Sequence, residues 1–224
     1  MGSSSPRSPS RSGWLSAAGE SVTLARVGIL ALQGAVRPHA EALRAVGAEP
    51  VEVRLPRDLA GIEGLVLPGG ESTAIRKLMV AYDLLEPIRA LADAGMPMFG
   101  TCAGMILLAR RIGDGDEPAV AVLDVEVRRN AYGRQLDSFE ANLDMPAVGD
   151  APLHAVFIRA PAVTDAGPGV KILARDPAGR TAAVRQGNLL ATAFHPELTT
   201  DRRVHQLFLA LVGSRRAAQG AAVG

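Results

Sequence analysis

Apolar residues follow two rhythms along the first half of the chain. Residues 27–32 form a short unbroken apolar run, the pattern of a strand covered on both faces, and Gln33-Gly34 ends it. Residues 37–46 then carry helical spacing, with Pro38 in the first turn and Gly47 where a helix C-cap falls. Further strands are predicted at 51–54, 64–67 and 96–99, separated by helices over 73–81, 84–94 and 103–111. From residue 120 the rhythm becomes strand-like, at 120–129, 154–158, 170–174, 181–185 and 189–194, with turn residues at Asp176-Pro177 and Gln186-Gly187-Asn188. A last helix over 201–212 places Val204, Leu207, Phe208 and Leu211 on one stripe. The predicted fold class is α/β: three layers around a mostly parallel, doubly wound sheet, with antiparallel additions in the second half.

Residues 1–24, rich in Ser, Gly, Pro and Arg without periodicity, read as a disordered tail; 25–213 form one domain, and 214–224 a flexible C-terminal tail. A hydrophobic fraction of 48% supplies one buried core. Lys+Arg of 24 against Asp+Glu of 23 leaves a net charge of +1, which argues against a nucleic-acid partner. The longest apolar stretch, 96–109, is broken by Pro97, Gly100 and Gly104 and falls short of the roughly 20 residues that span a bilayer. The single Cys102 cannot form an internal disulfide, and no secretion-signal pattern is present, so a cytoplasmic protein is expected.

Candidate chemistry begins at that cysteine. In Met98-Phe99-Gly100-Thr101-Cys102-Ala103-Gly104 a strand runs into a glycine-flanked turn and a helix starts beyond it, the layout of a nucleophile elbow. A helix N-terminus there favours an anionic sulfur, although a lone cysteine is more often a small buried hydrophobe. Phe194-His195-Pro196-Glu197 supplies a base: Pro196 biases His195 towards an extended conformation, which puts Glu197 on the same side to orient the imidazole. Leu67-Pro68-Gly69-Gly70-Glu71-Ser72 ends a strand in a glycine turn whose N–H groups can approach a substrate oxyanion, with a plain tight turn as the other reading. Arg129 and Arg159 close apolar strands and are either carboxylate ligands or solvated strand ends. His39, His154 and His205 lie apart, so neither a metal nor another cofactor is implied.

LALQGAV (30–36), LPGGEST (67–73), MFGTCAGMILLA (98–109), RRNAYGRQLDSFEA (128–141), VFIRAP (156–161) and AFHPELT (193–199) occur in that order. Over residues 26–213 the chain resembles the class I (triad) glutamine amidotransferases, in particular the glutaminase subunits of pyridoxal 5′-phosphate synthase. The resemblance implies a cytoplasmic glutaminase that needs no cofactor and passes ammonia to the synthase subunit. It also implies a nucleophile at Cys102 with His195 and Glu197 as partners, and glutamine contacts at Gly70, Glu71, Ser72, Arg129, Ile158 and Arg159. The expected mechanism places oxyanion donors at the N–H groups of Gly70 and Ala103. The N-terminal extension and Pro38 depart from the family pattern. The alternatives are a glutaminase of another pathway, such as imidazole glycerol phosphate synthesis, and a thiol sensor or chaperone of the DJ-1 type.

Overall fold

The computed structural model describes residues 23–113, 115–129 and 138–223. The tail read at the N-terminus, up to residue 22, and the centre of the RRNAYGRQLDSFEA motif, 130–137, lie outside the described residues. Twelve strands are described: β1 (Ala25–Leu30), β2 (Ala48–Val53), β3 (Gly64–Leu67), β4 (Met98–Thr101), β5 (Ala109–Ile112), β6 (Leu123–Arg128), β7 (Ser138–Leu143), β8 (Leu153–Ile158), β9 (Ala162–Ala166), β10 (Lys171–Arg175), β11 (Thr181–Gln186) and β12 (Leu189–Thr192). The helices are α1 (Val36–Ala45), α2 (Ser72–Ala81), α3 (Leu85–Asp93), α4 (Ala103–Leu108) and α5 (Arg203–Val223).

The main sheet runs β2-β1-β3-β4-β12-β11-β9-β6-β5, with β10 added alongside β11. β2, β1, β3, β4 and β12 are mutually parallel, and the antiparallel pairs gather on the β11, β10 and β9 side. The α/β class with a mostly parallel sheet and antiparallel additions is therefore the observed one. β3 and β4 are buried at every position, as strands sandwiched between helix layers must be. β2 tolerates Pro50 because it lies at the sheet's edge, and it starts at Ala48 instead of residue 51.

Three local readings change. The helix expected over 103–111 stops at Leu108, and Ala109–Ile112 becomes β5, parallel to β6. The N–H groups of Val120 and Val122 bond the carbonyls of Leu107 and Leu108 at 2.8 and 3.0 Å, so a tertiary contact ends the helix where local propensity would continue it. β7 and β9 were not expected; β7 pairs with β8 as a separate two-stranded sheet, with Phe139 stacked on Phe157 at 4.5 Å. α5 continues past residue 212 through most of the stretch read as a C-terminal tail. Its Ala, Arg and Gln residues favour helix, and Arg216 holds the Thr23 carbonyl at 3.1 Å.

Candidate active site

Three neighbouring parallel strands deliver three different groups to one edge of the sheet. Leu67 of β3 pairs with Gly100 of β4, and Thr101 of β4 with Thr192 of β12. The segments that follow, Pro68-Gly69-Gly70, Cys102 and Ala193-Phe194-His195, therefore leave the sheet side by side. This is the carboxyl edge, where open parallel α/β sheets bind their ligands.

Cys102 occupies φ 50° and ψ −105°, a region that costs a non-glycine residue on the order of 1–3 kcal/mol. Its surroundings enforce the conformation: its N–H donates to the Thr192 carbonyl at 2.8 Å, and its carbonyl accepts the Met105 N–H at 3.0 Å. The flanking glycines are demanded by contact, since a Cβ on Gly104 would collide with the Leu67 carbonyl oxygen and one on Gly100 with the Gly104 carbonyl. The result is a buried sulfur at a sharp strand-to-helix turn, 3.7 Å from the Ile158 carbonyl oxygen.

His195 and Glu197 meet, though by a different route from the extended one expected. β12 ends at Thr192, and Pro196–Leu198 form a single 3-10 turn that swings Glu197 back under the imidazole. His195 Nδ1–H donates to Glu197 Oε1 at 2.7 Å, and the His195 backbone N–H donates to the Val156 carbonyl at 2.8 Å. Burial disfavours charge on this ring, but hydrogen bonding and negative charge from Cys102 and Glu197 outweigh it, so its pKa is pushed up to about 10. Burial also works against the Glu197 carboxylate, which the His39 and His195 imidazoles nonetheless hold below the ordinary range.

A pH dependence follows from the sign of the His195 shift. Its folded pKa lies above the unfolded value of 6.5, so the stability it contributes is complete below pH 6.5 and is lost as pH rises through about 10. Histidine-selective NMR of the full chain should show His195 as imidazolium throughout pH 6.5–8, with its titration moved downward in Cys102→Ala. A His195 resonance titrating at its unperturbed position would contradict the pairing of His195 with Glu197 and its coupling to the neighbouring Cys102.

A cavity of about 540 Å³ opens over these groups, within the roughly 300–1,000 Å³ usual for small-molecule sites. Gly69, Gly70, Glu71 and Ser72 line one side, Cys102, Ala103 and His195 the floor, and Arg129, Ile158 and Arg159 another side. No room is wasted at the floor: a Cβ on Gly69 would press on the His195 ring.

Residues 29–214 match the SNO glutamine amidotransferase family. The chain belongs to that family. It is 61% identical over 191 residues to the pyridoxal 5′-phosphate synthase subunit PdxT of Frankia alni, covering 84% of this chain and 96% of the relative. It is 55% identical over 188 residues to the same-named subunit of Moorella thermoacetica, covering 84% of this chain and 100% of the relative. A crystal structure of a glutamine amidotransferase superposes with a TM-score of 0.79 at 48% identity, covering 84% of this chain and 98% of the other.

In this glutamine amidotransferase every site residue expected from sequence lies at the cavity except Glu197, which is buried behind His195. Arg129 sits one residue past the end of β6, where its guanidinium bonds Thr73 Oγ1 at 2.8 Å and pairs with Asp116. The Glu71 carboxylate is already committed: it caps α2 by accepting the N–H groups of Thr73 and Ala74 at 3.0 and 2.6 Å. Gln33 was missed. Its Oε1 accepts the Glu71 N–H at 2.9 Å, and its side chain packs over Gly70. Its position shortly past the end of β1, which is the strand next to β3, was the available signal, because ligand-contacting residues follow the carboxyl ends of such strands.

Proposed function

We propose that this chain is the glutaminase subunit of pyridoxal 5′-phosphate synthase and that Cys102, His195 and Glu197 form its catalytic triad. The observation that carries the assignment is the convergence of an enforced thiol, a carboxylate-held imidazole and a glycine turn on one cavity. The Cys102 thiolate attacks the glutamine δ-carbonyl, and the N–H groups of Gly70 and Ala103 stabilise the oxyanion. His195, charged at neutral pH, gives its proton to the departing ammonia as the thioester forms. The same imidazole then activates water, which releases glutamate and restores the thiol. Ammonia passes to the synthase subunit.

Around the reacting amide, Gly70, Glu71, Ser72, Arg129, Ile158 and Arg159 bind the rest of glutamine. With its carboxylate engaged in capping and its N–H in the bond to Gln33, Glu71 shapes the cavity wall, and Arg129 and Arg159 supply positive charge for the α-carboxylate. A thiol sensor has no need of an imidazole fixed by a buried carboxylate, so the His195–Glu197 pair disfavours that reading.

Glutamate release by the chain with its synthase subunit tests the assignment. His195→Asn should lose nearly all turnover, whereas Glu197→Gln should keep more, because orienting a base is a smaller task than being one. Wild-type turnover in Glu197→Gln beside a dead His195→Asn would mean that another group orients the imidazole.

A further inference from the structure

Behind the triad lies a second set of buried polar side chains that the proposed chemistry does not use. His39 on α1 and His205 on α5 are both fully buried, where apolar side chains would cost less. His39 Nε2 lies 3.0 Å from Thr101 Oγ1 and 3.5 Å from Glu197 Oε2, while His39 Nδ1 lies 3.1 Å from His205 Nε2. Thr101 Oγ1 in turn accepts the Gly69 N–H at 3.1 Å. Among the described residues Glu197 Oε2 has no hydrogen-bond partner, its other oxygen being taken by His195, so the His39 ring is the polar group facing it.

From these contacts we infer that His39 is a positioning residue, fixing the triad carboxylate and, through Thr101, the first peptide of the glycine turn as one unit. The inference rests on Cys102, His195 and Glu197 being the triad. The carboxylate selects the tautomer, because a ring lone pair facing Glu197 would be repelled, whereas an Nε2–H is attracted. Nδ1 then accepts from His205 Nε2–H, and the chain ends at His205 Nδ1, a lone pair without a partner among the described residues and not an unpaired proton. Burial lowers the pKa of both rings, that of His205 to about 3. Phe99 packs edge-on against His39 at 6.1 Å and against His205 at 5.7 Å, which fixes the ring planes. The Gly69 N–H is thereby held towards Thr101, which leaves the Gly70 N–H as the turn's donor to substrate.

Two conservative replacements separate positioning from packing. The amide nitrogen of Gln can stand where His39 Nε2 does, while that of Asn reaches only the Nδ1 position. In the complex with the synthase subunit, His39→Asn should lower kcat about tenfold with KM changed less than about twofold, and His39→Gln should restore most of the loss. In a Glu197→Gln background, His39→Asn should cost clearly less than it does in the parent, because the charge that the ring positions is already gone. Losses that multiply in the double variant, or Asn and Gln variants equally impaired, overturn the inference. If His39→Asn does not fold, Thr101→Val is read in the same cycle, and independent effects there overturn it as well. Full activity in Cys102→Ser would remove the triad itself. A dead Cys102→Ser with additive His39 effects removes only the role of His39.

Discussion

Replacing Cys102 by serine is expected to reduce glutamine hydrolysis by about three orders of magnitude or more, the scale on which losing a nucleophile is felt. The hydroxyl has nearly the same size, so the enforced turn with its bonds to Thr192 and Met105 should persist and the cavity should still bind glutamine. What disappears is the sulfur nucleophile, since an alcohol ionises far less readily than a thiol. Glutamate release measured with the synthase subunit, with glutamine binding followed by calorimetry on the same preparation, checks both halves of the expectation. More than about a tenth of parental turnover would remove Cys102 from the nucleophile role.

The reason serine tests chemistry and not folding lies in how the turn is built. The positive φ at Cys102 is imposed by Gly100 and Gly104, which allow α4 to press against Leu67 and the β4 backbone. Both glycines and the strand-to-helix switch are visible in the sequence, which is why the elbow was legible there. The same holds for the pairing of His195 with Glu197, since two residues separated by a proline have few ways not to be neighbours. Its geometry was less legible: a 3-10 turn, set by the exit of β12 and the Val156 carbonyl, does what an extended segment was expected to do.

What sequence pattern could not report is contact between segments far apart in the chain. The end of α4 at Leu108 depends on Val120 and Val122, and β5 exists because β6 lies beside it. β9 is short and mostly only half-buried or exposed, with no clear alternation, so it carries little strand signal of its own and forms by pairing with β6. The histidines show the same limit. Along the sequence His39 and His205 are solitary, but the parallel order of β1, β3, β4 and β12 brings α1, α5 and the 3-10 turn at Glu197 to one place behind the site.

The isolated chain is expected to be a poor glutaminase whose turnover rises more than a hundredfold when the synthase subunit binds. The glycine turn is the element on which such control can act. The Gly69 carbonyl accepts the Ala35 N–H at 3.0 Å, and Gly34 lies so close that a Cβ there would collide with the same oxygen. The orientation of the Gly69–Gly70 peptide is thus tied to the segment that leads into α1. Turning that peptide over breaks the bond to Ala35 and leaves the carbonyl to find another partner, a difference of about 1–3 kcal/mol, and glycine adds little steric resistance. Two orientations separated by a few kcal/mol can therefore present or withdraw the Gly70 N–H at the oxyanion position. A partner that binds only the competent one, with a preference of roughly 3 kcal/mol, changes the rate by more than a hundredfold. Because the oxyanion develops only as Cys102 attacks, the gain should appear in kcat and leave KM nearly unchanged. Steady-state kinetics of the chain alone and with the synthase subunit decide the matter; equal kcat in both would mean that the oxyanion site is already organised and that the partner does no more than receive ammonia.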